Sequence, residues 1–238
     1  MPTHPNLEQF KEAAARAAAE RVQSGMIIGL GSGTTAAHVT RALGERVKRG
    51  LKIVGVPTSN QTSKLAGELG IPISNLEEHD AIDLTIDGAD EVEMGTLHLI
   101  KGHGGALLRE KIVAHASKRL LIVVDETKLV GRLGIRESLP VEVIPFGWRI
   151  VARQLEHMGA KAALRRDAAG QPFLSDGGHY IVDCTFPGIA APSELSGKLD
   201  RIVGIVEHGL FLGMTAEVII GGAGGVTSIQ RENFQARI

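Results

Sequence analysis

Asp87, Asp90, Lys101 and Glu110 all fall within residues 83–114, which read DLTIDGADEVEMGTLHLIKGHGGALLREKIVA. Asp87 and Asp90 are separated only by Gly88 and Ala89, so both carboxylates can face a crevice and a ligand can approach the backbone closely. Carboxylates so placed accept hydrogen bonds from ligand hydroxyls or move protons. They serve equally well as a turn with a helix N-cap. Glu91 completes the acidic motif. Lys101 leads through Gly102, His103, Gly104 and Gly105 into a helix start, which joins a cation to helix N–H groups that lack intrahelical acceptors. That combination binds a phosphate or stabilises a developing oxyanion. Its plain alternative is a surface lysine beside a flexible loop, and His103 itself reads as a solvated loop histidine.

Glu110 makes a sharper case. A helix from about Gly104 to Ser117 aligns it with Ala106, Leu107, Val113 and Ala114, a mostly apolar face. Burial raises a carboxyl pKa above its reference of about 4.3, toward the range where one group takes and returns a proton near neutrality. The alternative is a solvated glutamate between Arg109 and Lys111.

A glycine-rich loop, Gly29-Leu30-Gly31-Ser32-Gly33-Thr34-Thr35, follows an apolar run and opens a helix, so its N–H groups can point at an anion. A dinucleotide fingerprint needs glycine at position 34, where Thr34 stands, and the Gly-Lys-Ser/Thr of a nucleotide-phosphate loop is missing. Hydroxyls in those places suit a small phosphate or a sugar better than a pyrophosphate; a structural tight turn is the alternative. No histidine or cysteine flanks the acid pair at metal-ligand spacing, and a magnesium site is allowed but not required. Cys184, the single cysteine, cannot form an internal disulfide and reads as a strand residue.

The elements that must position these groups follow a rhythm. Residues 7–24 read as an alanine-rich helix with Asn6 as N-cap, closed by Gly25. Strands are expected at 26–30, 51–56, 82–86, 97–100 and 119–124, with helices at about 35–48, from the TSNQTSKLA segment to near Gly70, and at 104–117. Strand, polar loop and helix in this order predict an α/β fold with a doubly wound, mostly parallel, Rossmann-like sheet. Loops at the carboxyl ends of such strands build the ligand crevice. The polar loops 31–35, 57–63, 87–91, 101–105 and 125–128 are therefore expected on one rim.

After Gly131 the rhythm becomes β-α-β-β-α-β, the split ferredoxin-like α+β unit, with strands near 141–145, 161–165, 179–184 and 202–207 and helices near 147–158 and 193–199. The expected division is a catalytic domain of residues 1–130 and 208–238, with 216–220 returning a strand to the first sheet, and a small domain of residues 131–207.

Composition excludes several classes. A formal net charge of −1 gives no global attraction to nucleic acid or anionic membrane, and 3% aromatic residues provide no stacking platform for single strands. The N-terminal residues lack a basic region followed by an apolar core, and no apolar run approaches a membrane span. A soluble cytoplasmic protein is the expectation, with no nucleic-acid or membrane partner.

Together GLGSGTTAAHV, DGADE, KGHGGALLREKI, PVEVIPFGW and VEHGLF resemble the A-type D-ribose-5-phosphate isomerase family over nearly the whole chain and in the same order. The resemblance implies a cofactor-free, metal-free aldose–ketose isomerisation of ribose 5-phosphate to ribulose 5-phosphate in the pentose phosphate pathway, by a homodimer or homotetramer acting on a small sugar phosphate. It implies Glu110 as the base between C1 and C2 through an enediolate, Asp87 and Asp90 as sugar-binding groups assisting ring opening, and Lys101 as the stabiliser of oxygen charge. Substrate contacts are implied at Ser32, Gly33, Thr34, Thr35, Gly88, Ala89, Gly102, His103, Gly104 and Lys128. The chain departs from the family at His103, a glycine in some members, and in SDGGHY, where an SDNGNY-like turn is common. A non-catalytic sugar-phosphate sensor, or a same-fold enzyme acting on amino-sugar phosphates or acyl-CoA, stands as the alternative.

Overall fold

The computed structural model describes residues 6–231. They form two compact units: one holds the residues up to Ala89, Arg109–Lys128 and those from Met214, and the other Asp90–Leu108 and Leu129–Gly213.

The first unit is built on a six-stranded sheet in the order Gly225–Gln230, Thr215–Gly222, Leu120–Asp125, Leu84–Asp87, Ile27–Leu30, Val54–Pro57. Its pairings are parallel except for the hairpin of the first two strands. Leu120–Asp125, LLIVVD, is buried at all positions, as the unbroken apolar run of a central parallel strand requires. The helix Leu7–Ala19 buries Ala14, Ala15, Ala18 and Ala19, and its small side chains join Ile28, Leu30, Leu43, Val123 and Ile219 in one core. Asn6 occupies the N-cap position, but its side chain makes no capping bond. This helix stops at Ala19, short of the expected residue 24. The expected strand 216–220 is the middle of Thr215–Gly222, whereas Gly225–Gln230, exposed along its length, has no buried face for a sequence pattern to reveal.

Within the second unit an antiparallel sheet runs Ile205–His208, Leu139–Val143, Tyr180–Thr185, Lys161–Leu164. With the helices Trp148–His157 and Pro192–Leu199 it has the β-α-β-β-α-β order, around a core that includes Val141, Val143, Val151, Leu155, Val182 and Cys184.

A further four-stranded sheet of the second unit, in the order Leu210–Phe211, Leu99–Ile100, Glu91–Glu93, Leu129–Val130, has strands of two or three residues, too short for any periodicity. It corrects the expectation for 97–100. Leu99–Ile100 pairs antiparallel with both of its neighbours, so the loop 101–105 does not leave a parallel strand. Leu97, at φ 54, lies in the left-handed region and starts the break. The helix expected from Gly104 begins instead at Leu107, because Gly105 at φ 81 cannot be helical. Residues 90–108, grouped with the first domain by strand rhythm alone, make these strand pairs inside the second unit.

Candidate active site

In the first unit, parallel strands end side by side at Leu30, Pro57, Asp87 and Asp125, so the loops after them issue from one edge of the sheet. Asp87 is 1% exposed. Its Oδ1 accepts the Gly88 N–H at 2.8 Å and the Ser32 N–H at 3.1 Å, which fixes the carboxylate against the glycine loop. Gly31 is required for this approach: a Cβ there would stand 2.1 Å from Asp87 Oδ1 and 2.6 Å from Asp87 Cα. Gly88 and Ala89, both half-buried, continue the chain from Asp87.

The Ser32 hydroxyl lies 2.7 Å from Thr58 Oγ1, 2.7 Å from Ser59 Oγ and 3.2 Å from Thr62 Oγ1. Thr58 and Thr62 donate in turn to the carbonyls of Leu30 at 3.1 Å and Gly31 at 3.0 Å. These three hydroxyl residues were not among the expected site residues. Their signal was visible in TSNQTS directly after a strand, in a loop already expected on the rim. Beyond Ser32 the loop opens the helix Thr34–Lys48, whose N-cap residue is Gly33, so no side chain caps its first N–H groups. Thr34 is exposed and Thr35 half-buried at this helix start. Lys128 ends the short turn Glu126–Lys128, which Asp125 pins by accepting the Thr127 N–H at 3.0 Å.

Glu110 is 4% exposed, on the helix Leu107–His115. Ala106, Leu107, Val113 and Ala114 are buried with it, while Ile112 on the same helix is 47% exposed. The carboxylate sits on the buried face, and the reading of a solvated glutamate is set aside.

In the second unit the Lys101 side chain is also buried, at 3% exposure, so it is not a surface lysine. Its N–H donates to Gly209 O at 2.9 Å, and Nζ lies 5.5 Å from the centre of the Phe211 ring. Asp90 donates its N–H to Ile100 O at 2.9 Å and accepts the His103 N–H on Oδ2 at 3.0 Å. His103 is more constrained than a solvated loop histidine. It donates Nε2–H to Ser138 O at 3.0 Å, and its Nδ1 is 3.5 Å from a Glu137 carboxylate oxygen. Gly102 is buried and Gly104 exposed.

Glu91 turns away from chemistry altogether. Buried at 1%, it accepts the N–H groups of Gly134 at 2.6 Å, Arg136 at 2.8 Å and Glu137 at 2.9 Å. Among the described residues no group of three or more His, Cys, Asp and Glu side chains is placed to hold a metal ion. No helix among them is long and apolar enough to cross a membrane.

Residues 54–225 match the family model described as ribose 5-phosphate isomerase A (phosphoriboisomerase A). The chain is 56% identical over 221 residues to ribose-5-phosphate isomerase A of Gloeobacter violaceus, covering 93% of this chain and 96% of that one. It superposes on ribose 5-phosphate isomerase A of Methanocaldococcus jannaschii with a TM-score of 0.90 at 39% identity, over 94% of this chain and 99% of that one. A D-ribose-5-phosphate isomerase solved in complex with phospho-erythronic acid gives a TM-score of 0.92 at 42% identity, over 95% of this chain and 100% of that one. Sequence, fold and coverage agree: the chain belongs to the ribose 5-phosphate isomerase A family.

Proposed function

We propose that Glu110 carries the proton in this enzyme's interconversion of D-ribose 5-phosphate and D-ribulose 5-phosphate. The observation that carries the assignment is a carboxylate 4% exposed on an otherwise apolar helix face. Glu110 takes the C2 hydrogen of the open-chain aldose as a proton, and the electron pair becomes the C1–C2 double bond of an enediolate with charge on O1. The same proton is returned to C1, and the O2 proton passes to O1, leaving the C2 ketone. No atom is gained or lost, and the cycle requires neither a cofactor nor a metal ion. A positioned base of this kind supplies roughly 10²–10⁴-fold in rate. The general principle that a glutamate can serve as base in such an isomerisation is illustrated by triosephosphate isomerase.

Asp87 and Asp90 bind the sugar and assist ring opening, and Lys101 neutralises the charge that forms on the oxygens. Ser32, Gly33, Thr34, Thr35, Gly88, Ala89, Gly102, His103, Gly104 and Lys128 complete the substrate contacts. Supporting the phosphate-binding part are the uncapped start of the helix Thr34–Lys48 and the phospho-erythronic acid held by the solved relative. The enzyme works in the cytoplasm as a homodimer or homotetramer. Phe146, Ile150 and Val203 support an oligomer, being large apolar side chains left exposed in the second unit.

The test is a coupled assay with ribose 5-phosphate in the presence of a chelator, run on the wild type and on Glu110→Gln. Turnover that survives chelation and falls by about 10²-fold or more in the variant is expected. Near-wild-type turnover in Glu110→Gln removes the assigned base.

A further inference from the structure

We propose that Arg165 is a positioning residue for the loop Lys101–Gly105, aiming two successive peptide N–H groups so that the first, of His103, holds the Asp90 carboxylate and the second, of Gly104, can receive the negative charge formed on the sugar oxygens. The proposal rests on the isomerase reading above and adds to it a group that does not touch substrate.

Arg165 directly follows the strand Lys161–Leu164 and donates its own N–H to Ile181 O at 2.8 Å. Its side chain is 13% exposed. Nε donates to Asp183 Oδ2 at 2.9 Å, and Nη2 donates to Asp183 Oδ1. The Phe173 ring covers the guanidinium, with its centre 5.8 Å from Cζ. The carboxylate and the ring together fix the guanidinium plane. Nη1 is thereby aimed at the loop, where it donates to Gly102 O and to His103 O, each at 2.9 Å.

Capturing both carbonyls has a geometric consequence. In a planar trans peptide the C=O and the N–H point in opposite directions. With Gly102 O turned to Arg165, the His103 N–H must point away, and it is found donating to Asp90 Oδ2 at 3.0 Å. With His103 O turned the same way, the Gly104 N–H is directed away from Arg165 alongside it. Gly104 is exposed, so a ligand oxygen can reach that donor. One half-buried ion pair, with the Gly105 N–H that also donates to Gly102 O at 3.0 Å, therefore sets the direction of two donors next to Lys101 and links the acid Asp90 to the same loop. Donors held in place before charge develops are effective because they need not reorganise as it forms.

Arg165→Met keeps an unbranched side chain against Phe173 and removes every donor; Arg165→Lys leaves one ammonium that reaches either Asp183 or the carbonyls but not both. We expect kcat to fall about 10- to 100-fold in Arg165→Met with KM changed less than about threefold, and by a smaller factor in Arg165→Lys. Amide hydrogen exchange at His103, whose N–H is bonded to Asp90, should quicken at least about tenfold, while Val182 and Cys184 in the neighbouring strand keep their protection. Wild-type kcat in a folded Arg165→Met overturns the proposal, and so does a loss of kcat accompanied by equal loss of protection throughout the strand. Should Arg165→Met fail to fold, Arg165→Lys is judged by the same two readings. Absence of turnover in the wild type overturns the isomerase reading instead, and full turnover in Glu110→Gln removes only its assigned base; an active wild type, an impaired Glu110→Gln and an unimpaired Arg165→Met overturn this one alone.

Discussion

The main-chain N–H of Ser32 donates to Asp87 Oδ1 at 3.1 Å, so the glycine loop and the acid at the end of the strand Leu84–Asp87 are locked together. Gly31 lets them meet. Replacing it tests whether that approach matters to the reaction.

Gly31→Ala places a Cβ 2.1 Å from Asp87 Oδ1 and 2.6 Å from Asp87 Cα, so rotating the aspartate cannot relieve the clash and backbone must move. Overpacking of this kind costs about 1–3 kcal/mol. Displacing a substrate-positioning group by about 1 Å costs on the order of 100-fold in rate. Gly67→Ala is the counter-case: the nearest atom to its Cβ would be 3.9 Å away, inside the helix Asn60–Glu68. It is expected to raise stability by about 0.5–1 kcal/mol and leave turnover unchanged. Urea unfolding and steady-state kinetics on the two variants separate the cases.

The burial of Glu110 was legible because helical spacing is local: four apolar neighbours within one turn or so define a face before any tertiary contact is known. The parallel sheet was legible for a similar reason, since LLIVVD and its counterparts are unbroken apolar runs. What sequence did not show depends on partners far along the chain. Asp87 and Ser32 meet across fifty-five positions, and Arg165 meets Gly102 across sixty-three. The sheet holding Leu99–Ile100 is made of strands so short that no period exists to detect. Substrate identity came from family resemblance, because spacing places charges without naming the sugar they bind.

Asp83 gives an acid-limb prediction. Its hydrogen bond from Lys118 at 2.8 Å, helped by the Ile27 N–H at 2.9 Å, holds its carboxyl below the ordinary range. A group whose pKa is lower in the folded state contributes stability above its unfolded pKa of about 3.9 and loses it as pH falls through the lower folded value. Asp83→Asn should therefore lower stability at pH 7 by about 0.5–1 kcal/mol, modest because the Lys118 side chain is 47% exposed. The difference from wild type should vanish at pH values below the folded pKa. Denaturant midpoints measured from pH 7 down to the acid limb check the sign; a gap that widens on acidification contradicts it.

Cys184 should report opening of the second unit. Burial, with the Asp183 charge beside it, pushes its thiol up to about 12, and its side chain is fully buried. Since the thiolate is the reactive form, alkylation by iodoacetamide at pH 8 should be at least about 10³-fold slower in the native protein than in urea, where the pKa returns to about 8.5. Arg165→Met, by removing the partner of the adjacent Asp183, is not expected to accelerate it if only the loop loosens. Rapid native labelling would show that the strand Tyr180–Thr185 opens readily.

Glu91 and Glu110 are both buried glutamates, at 1% and 4% exposure, yet their surroundings assign them opposite signatures. Glu91 accepts three backbone N–H groups, from Gly134, Arg136 and Glu137, and so ties the loop that also carries Ser138 to the strand Glu91–Glu93. Glu91→Gln leaves one oxygen for three donors and turns an amide toward at least one N–H. Hydrogen bonds to a charged group are worth about 1.5–3 kcal/mol each, so stability should fall by about 2–3 kcal/mol, seen as a lower urea midpoint at unchanged slope. Glu110→Gln should do the reverse, losing about 10²-fold or more in kcat while its unfolding free energy stays within about 1 kcal/mol of wild type. If Glu91→Gln lost turnover at full stability, the acid motif would hold a reacting group where the structure shows a loop anchor. If Glu110→Gln lost stability at full turnover, its burial would be a packing feature and the base would have to be sought elsewhere.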